Sequence, residues 1–153
     1  MLLAFSCIEA EAQKPVKGNN TGLHLQKFKP PKVKTIWGNH SDSAIISPGE
    51  AIPLLSVPLR IIDDKNTAYA LSSYQFMYRK QGVIGNEESE SGKTEPITTI
   101  KAQFFRTSPL PELWVKTISE EIRHGEELYV YDIVARDNLG HLFFAPSIRI
   151  RIN

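Results

Sequence analysis

The stretch LYVYDIVARDNLGHLFFAPSIRIRI, Leu128 to Ile152, decides the fold. From Leu128 to Ala135 it is apolar at odd and even positions alike, the pattern of a strand buried on both faces and therefore central in its sheet. Asp137-Asn138-Leu139-Gly140 reads as a hairpin turn, with glycine at the place that needs positive φ. The closing segment alternates: Ile148, Ile150 and Ile152 point inward, Arg149 and Arg151 outward. Asp132 is the one acid inside the apolar run that needs a reason. It has either a partner such as Arg136 or a bulge that turns it to solvent.

Upstream, SPLPELWVKTISEEIRHG (108–125) predicts the one helix, near residues 109–124. Leu110, Trp114, Ile118 and Ile122 recur every fourth residue as one apolar stripe. Ser108 suits the cap, Pro109 and Glu112 the first turn, and Gly125 the left-handed stop. The other segments read as strands. Val33 to Trp37, Leu54 to Ile62 and Ile97 to Phe105 are rich in β-branched and other apolar residues, with Pro53 and Pro58 pushing the second of them to an edge. In TAYALSSYQFMYRK (67–80), Tyr74, Phe76 and Tyr78 face one way. Pro48-Gly49 and Asp63 to Asn66 read as turns, and residues 82–96 as a long acidic hairpin loop. The expected fold is mainly β (α+β): an antiparallel β-sandwich, immunoglobulin-like in general architecture, with one covering helix.

The 153 residues suit one domain. Charge is nearly balanced, 18 basic against 17 acidic residues, so global electrostatics points to neither nucleic acid nor membrane. Its distribution is uneven. No acid occurs between Gln13 and Ser41, while Lys14, Lys17, Lys27, Lys29, Lys32 and Lys34 all fall there. Residues 13–43 therefore read as a basic, Pro/Lys-rich arm before a domain at 44–153. Residues 1–12 resemble the end of a secretory signal peptide, with Ala10-Glu11-Ala12 as the cleavage signal. Cys7 is the single cysteine, which rules out an intramolecular disulfide; lipidation there is the less favoured alternative to cleavage. No apolar run is long enough for a transmembrane helix.

Few residues suit catalysis. There is no nucleophile elbow, and the histidines His24, His40, His124 and His141 are scattered. Gly92-Lys93-Thr94 lacks the earlier glycine of a phosphate loop, since Glu87 stands there. Paired acids Glu120-Glu121 and Glu126-Glu127 are the best enzyme case, but neighbouring glutamates on a helix diverge by about 100°. Glu120 is expected to pair with Lys116, and Glu126 and Glu127 to open a strand where charge costs little. Neither an enzyme, a cofactor nor a metal is expected. The candidate partner-binding residues are Lys27, Phe28, Lys29, Lys32 and Lys34 of the arm, Glu87, Glu88, Glu90 and Glu95 of the acidic loop, and aromatics near Tyr74 to Tyr78. A sheet edge open to strand addition is a further contact. The alternative is a carbohydrate-binding or carbohydrate-acting envelope protein using Trp37, Trp114 and the glutamates.

The run from the helix end through Gly125, Leu128, Tyr129, Val130, Ile133, Ala135, Asp137, Gly140, Ile148 and Ile150 resembles the C-terminal domain of the gliding-motility protein GldM (PorM) family, from the type IX secretion machinery of Bacteroidetes. Ser72 to Gly82 is similar to an earlier strand of that family. Two residues separate Asp137 from Gly140, where the family has Asp-Gly directly. The resemblance implies a non-enzymatic, periplasmic or outer-membrane-associated module that works as a dimer and meets envelope proteins, with no nucleic acid partner.

Overall fold

The computed structural model describes residues 27–85 and 94–153. The leader at 1–12, Cys7 and Glu87, Glu88 and Glu90 lie outside the described residues. Strands β1 (Val33–Trp37) and β2 (Ala44–Ile46) precede helix α1 (Pro48–Leu54). Strands β3 (Leu59–Asp63), β4 (Ala68–Gly85) and β5 (Thr94–Phe105) lead to helix α2 (Glu112–Glu121). Strands β6 (Glu127–Arg136), β7 (Leu142–Ala145) and β8 (Ile148–Ile152) close the chain.

The protein is mainly β with two short helices, and the eight described strands curl into one mixed sheet, a half-barrel. The mainly β reading stands, and the sheet differs from the expected antiparallel sandwich in two respects. All the described strands hydrogen-bond into a single sheet, in the order β1-β3-β4-β6-β8-β2 with β5 on β4 and β7 on β6. The β2–β8 pair is parallel. The physical reason lies in β4 and β6, which are long enough to exchange partners midway. Strand β4 leaves β3 after Tyr69 and takes up β5 from Tyr74. Strand β6 pairs with β8 over Glu127 to Val130 and with β7 over Ile133 to Arg136.

The exchange coincides with irregularities between Leu71 and Gln75 of β4. Leu71 faces Ala135, Ser73 faces Val134 and Gln75 faces Tyr131, so each strand carries one extra residue and the register is restored. Bulges of this kind bend and twist a sheet. Asp132 sits in the bulge of β6 with φ 47° and an exposed side chain, which answers its sequence question in favour of the bulge. The curl brings β1 across to the β7–β8 connection, where Thr35 Oγ1 donates to the Pro146 carbonyl at 2.6 Å.

The concave face holds the core. Tyr74, Phe76 and Tyr78 of β4, Leu128 and Val130 of β6, and Ile148, Ile150 and Ile152 of β8 are all buried there. Trp114 of α2 meets Phe76 and Phe105 edge to face, with ring centroids 5.7 and 5.5 Å away. The stripe expected of α2 is present: Leu110, Ile118 and Ile122 are buried and Trp114 is half-buried. Its start is later than expected. A residue before proline is driven out of the helical region, so Leu110 before Pro111 delays the first turn to Glu112. Ser108 instead accepts the Leu59 N–H at 2.8 Å.

Helix α1 was expected as a turn running into a strand from Leu54. Ser47-Pro48-Gly49-Glu50 is a capping box: the Ser47 hydroxyl accepts from Glu50 N–H, and the Glu50 carboxylate accepts from Ser47 N–H. Pro48 at the first helical position is compatible with that start. Tertiary packing keeps so short a helix, through buried Ala51 and Leu54. Strand β1, inside the stretch read as the arm, is a member of the sheet and buries Thr35 and Trp37.

Candidate interaction surface

Two five-residue turns are built alike. In Asp63–Thr67 the Asp63 carboxylate accepts the N–H groups of Lys65 and Thr67; in Asp137–His141 the Asp137 carboxylate accepts those of Leu139 and His141. The fourth residue of each, Asn66 (φ 61°) or Gly140 (φ 85°), takes the left-handed conformation. Backbone donation from Thr67 foremost holds the Asp63 carboxyl below its ordinary range. Burial acts against the same shift at Asp137, but the His141 side chain and the two turn N–H groups outweigh it.

The arm crosses these turns. Phe28 stacks on His141 with centroids 4.4 Å apart and lies 6.3 Å from Phe143, which in turn meets Tyr69 edge to face. Lys27, Lys29, Lys32 and Lys34 are exposed. Of the proposed arm residues, Phe28 is thus partly used in packing, while the four lysines form no ion pair with another described residue. Glu95, the one acidic candidate among the described residues, lies on β5 opposite Ile84, at the end of β4 away from the Ala68–Tyr69 end that the arm adjoins.

The aromatics expected at the surface between Tyr74 and Tyr78 are in the core, because these alternate positions point to the concave side. Trp37 is buried too; its indole N–H donates to the Val57 carbonyl, leaving no face on which a sugar could stack. The exposed aromatics are elsewhere, at the opposite parity. Gln75 faces Phe104 on β5 and Tyr131 on β6, and Val134 faces Phe144 on β7. Phe144 is 74 % exposed, Leu142 59 % and Phe104 46 %, and Ile100 and Ile45 are also exposed. Tyr131 stacks on Tyr129 at 4.8 Å in the middle of this outer face. Both helices pack on the concave side, so neither covers the outer face. The sequence did show alternation here, but not which parity would find helices to bury it.

The paired acids are placed differently from expectation. Glu120 is exposed and pairs with neither Lys116 nor any other described residue, and Glu121 is the helix residue clamped to the sheet, 3.2 Å from both Lys80 and Lys101. Those two ammonium groups hold its carboxyl below the ordinary range. Glu126 and Glu127 are buried rather than solvated. Glu126 Oε2 accepts from the Tyr78 hydroxyl and the Arg123 N–H, while Oε1 is buried without a partner. At 1 % exposure Glu126 has no route to a substrate. Glu127 is bracketed on the outer face by Arg149 at 3.2 Å and Arg151 at 3.6 Å. The paired acids are therefore spread over a helix end, the core and the outer face.

No three His, Cys, Asp or Glu side chains gather as a metal site among the described residues, and no described helix is long and apolar enough to cross a membrane. No protein-family model matches the chain, and no curated protein matches it.

Proposed function

We propose that this chain is a non-enzymatic binding module of the bacterial cell envelope, working by contact on the outer face of its sheet. The observation that carries the reading is the exposure of Phe144 and Leu142 on β7, and of Phe104 and Ile100 on β5, on the face of the sheet that neither helix covers. Apolar patches of that kind are normally covered by a partner. The sequence resemblance to the GldM C-terminal domain supports placing the partner in the gliding-motility or type IX secretion machinery, in the periplasm or at the outer membrane. On this reading the parts of the sheet on either side of the bulges correspond to the two layers of an immunoglobulin-like sandwich.

In-cell crosslinking of the tagged chain, followed by identification of captured proteins, tests the proposal. Envelope-complex components should be recovered with the wild type and lost with Phe144→Asp. Recovery of no such component, or equal recovery with the variant, would sink it.

A further inference from the structure

An open groove of about 520 Å³ crosses the outer face where β2, β8 and β6 lie side by side. Its walls include Ser43 and Ile45 of the β2 segment, Tyr129, and the guanidinium groups of Arg149 and Arg151. We propose that this groove docks an extended peptide bearing a carboxylate side chain. The inference rests on the binding-module reading and names the chemistry of the partner.

The charge balance supplies the first argument. Over the groove as a whole Glu127 beneath and Asp42 at the rim balance Arg149 and Arg151, but the two cations stand together on the β8 side, so the positive charge is concentrated there. The Glu127 side chain is only 8 % exposed and holds Arg149 the closer of the two, at 3.2 Å against 3.6 Å for the more exposed Arg151. Arg149 also lies over the Tyr129 ring, 4.4 Å from its centroid, which stiffens it further. Guanidinium groups fixed in advance lose less entropy when a carboxylate arrives. Asp42 at the rim and Glu127 beneath repel a polyanion, which favours a peptide with single, spaced carboxylates over a nucleic acid strand.

Backbone geometry supplies the second. Among the described residues strand β2 pairs with β8 alone, and none of them occupies its other edge. The Ile46 carbonyl accepts from Asn153 N–H on the β8 side, so the N–H and C=O of Ile45, one residue earlier, point away to that edge. A strand laid there would sit about 10 Å from β8, two strand spacings away. An arginine and a glutamate span that distance together, and exposed Ile45 offers an apolar contact between them. Edge pairing for affinity with alternate side chains for selectivity is a recurring mode of peptide recognition.

Fluorescence anisotropy on the full chain tests this with a labelled peptide alternating glutamate and valine, against its glutamine counterpart. The glutamate peptide should bind at least about tenfold more tightly, and its affinity should fall with added salt. Arg149→Ala should reduce that affinity by about tenfold, Arg149→Lys should restore part of it, and Arg136→Ala, away from the groove on the same face, should leave it unchanged. Since loss of Arg149 also unburdens Glu127, Ile45→Asp at an exposed position provides a second variant, and it too should weaken the glutamate peptide. Equal binding of the two peptides, binding of neither, or insensitivity to both groove variants would overturn the proposal. So would displacement of the peptide by inorganic phosphate beyond the effect of chloride at equal ionic strength, which would mark a phosphate site. Failure here with envelope partners still captured through Phe144 would remove the groove alone. Groove-dependent peptide binding with no envelope partner captured would uphold the groove and remove the envelope reading.

Discussion

Tyr78 of β4 donates its hydroxyl hydrogen to the buried carboxyl of Glu126, 48 residues further along the chain. The same carboxyl oxygen accepts the Arg123 N–H, so one side chain ties the end of α2, the start of β6 and the centre of the core together. Removing Glu126 leaves the Tyr78 hydroxyl buried and unsatisfied, and removing the hydroxyl takes one of two donors from a buried carboxyl oxygen; stranding a buried polar group costs about 1–3 kcal/mol. Tyr78→Phe and Glu126→Ala should each destabilise by at least that order in urea titrations. The double variant Tyr78→Phe/Glu126→Leu should lose less than the sum of the singles, since it leaves neither partner stranded. Strict additivity would contradict the link.

Burial raises the Tyr74 hydroxyl to about 12, and burial together with Glu126 raises that of Tyr78. A raised folded-state value favours the protonated form, so this stability is fully present below about pH 10, the unfolded value, and is lost as pH climbs through the folded value. Ultraviolet titration of tyrosinate should therefore show Tyr74 and Tyr78 ionising only as the protein unfolds in alkali, with Tyr69, which burial and Asp63 also raise, ionising later than an ordinary tyrosine. Tyr74→Phe and Tyr78→Phe should each remove one of the ionisations that await unfolding.

At the twin turns the sign is reversed. Asp63 and Asp137 are held below the ordinary carboxyl range, so their contribution is present above about pH 4 and disappears as pH falls through the folded values. Asp63→Asn and Asp137→Asn should lower the melting temperature at pH 7 and narrow the gap between melting at neutral and acid pH. An unchanged gap would show that the two carboxylates add nothing.

Gly38 and Gly140 both have positive φ, 60° and 85°. A Cβ at Gly140 would meet nothing within 4 Å, whereas one at Gly38 would come within 2.7 Å of Leu54 Cδ1. Gly140→Ala should cost about 1 kcal/mol from the backbone alone. Gly38→Ala should cost distinctly more, because Leu54 is in the core. Thermal denaturation of the two variants gives the comparison directly.

On the outer face, Phe144→Asp and Phe104→Asp replace exposed side chains that pack on no helix. Both should keep the melting temperature within a few degrees, given that surface changes usually stay within about 0.5 kcal/mol. They should also raise solubility. A large loss of stability would mean that this face is structural.

Local patterns were enough to determine much of this protein. The alternation in β8, the doubly apolar run of β6, the stripe of α2 and the Asp-led turns are written in short spacings, because each depends on neighbours a few residues away. Even helix α1 had its signal in Ser47 and Glu50, masked by the turn propensity of Pro48-Gly49. The tertiary structure alone decided the rest. Whether β4 and β6 would end in two sheets or run through one depended on two compensating bulges, and only strand pairing reveals a bulge. Which parity of the sheet would be covered depended on where two helices land. Whether Glu126 is buried against Tyr78, and Glu127 held between two arginines, depended on register between residues far apart in sequence. Charge and polarity in a sequence say what a side chain can do; only its long-range neighbours say what it meets.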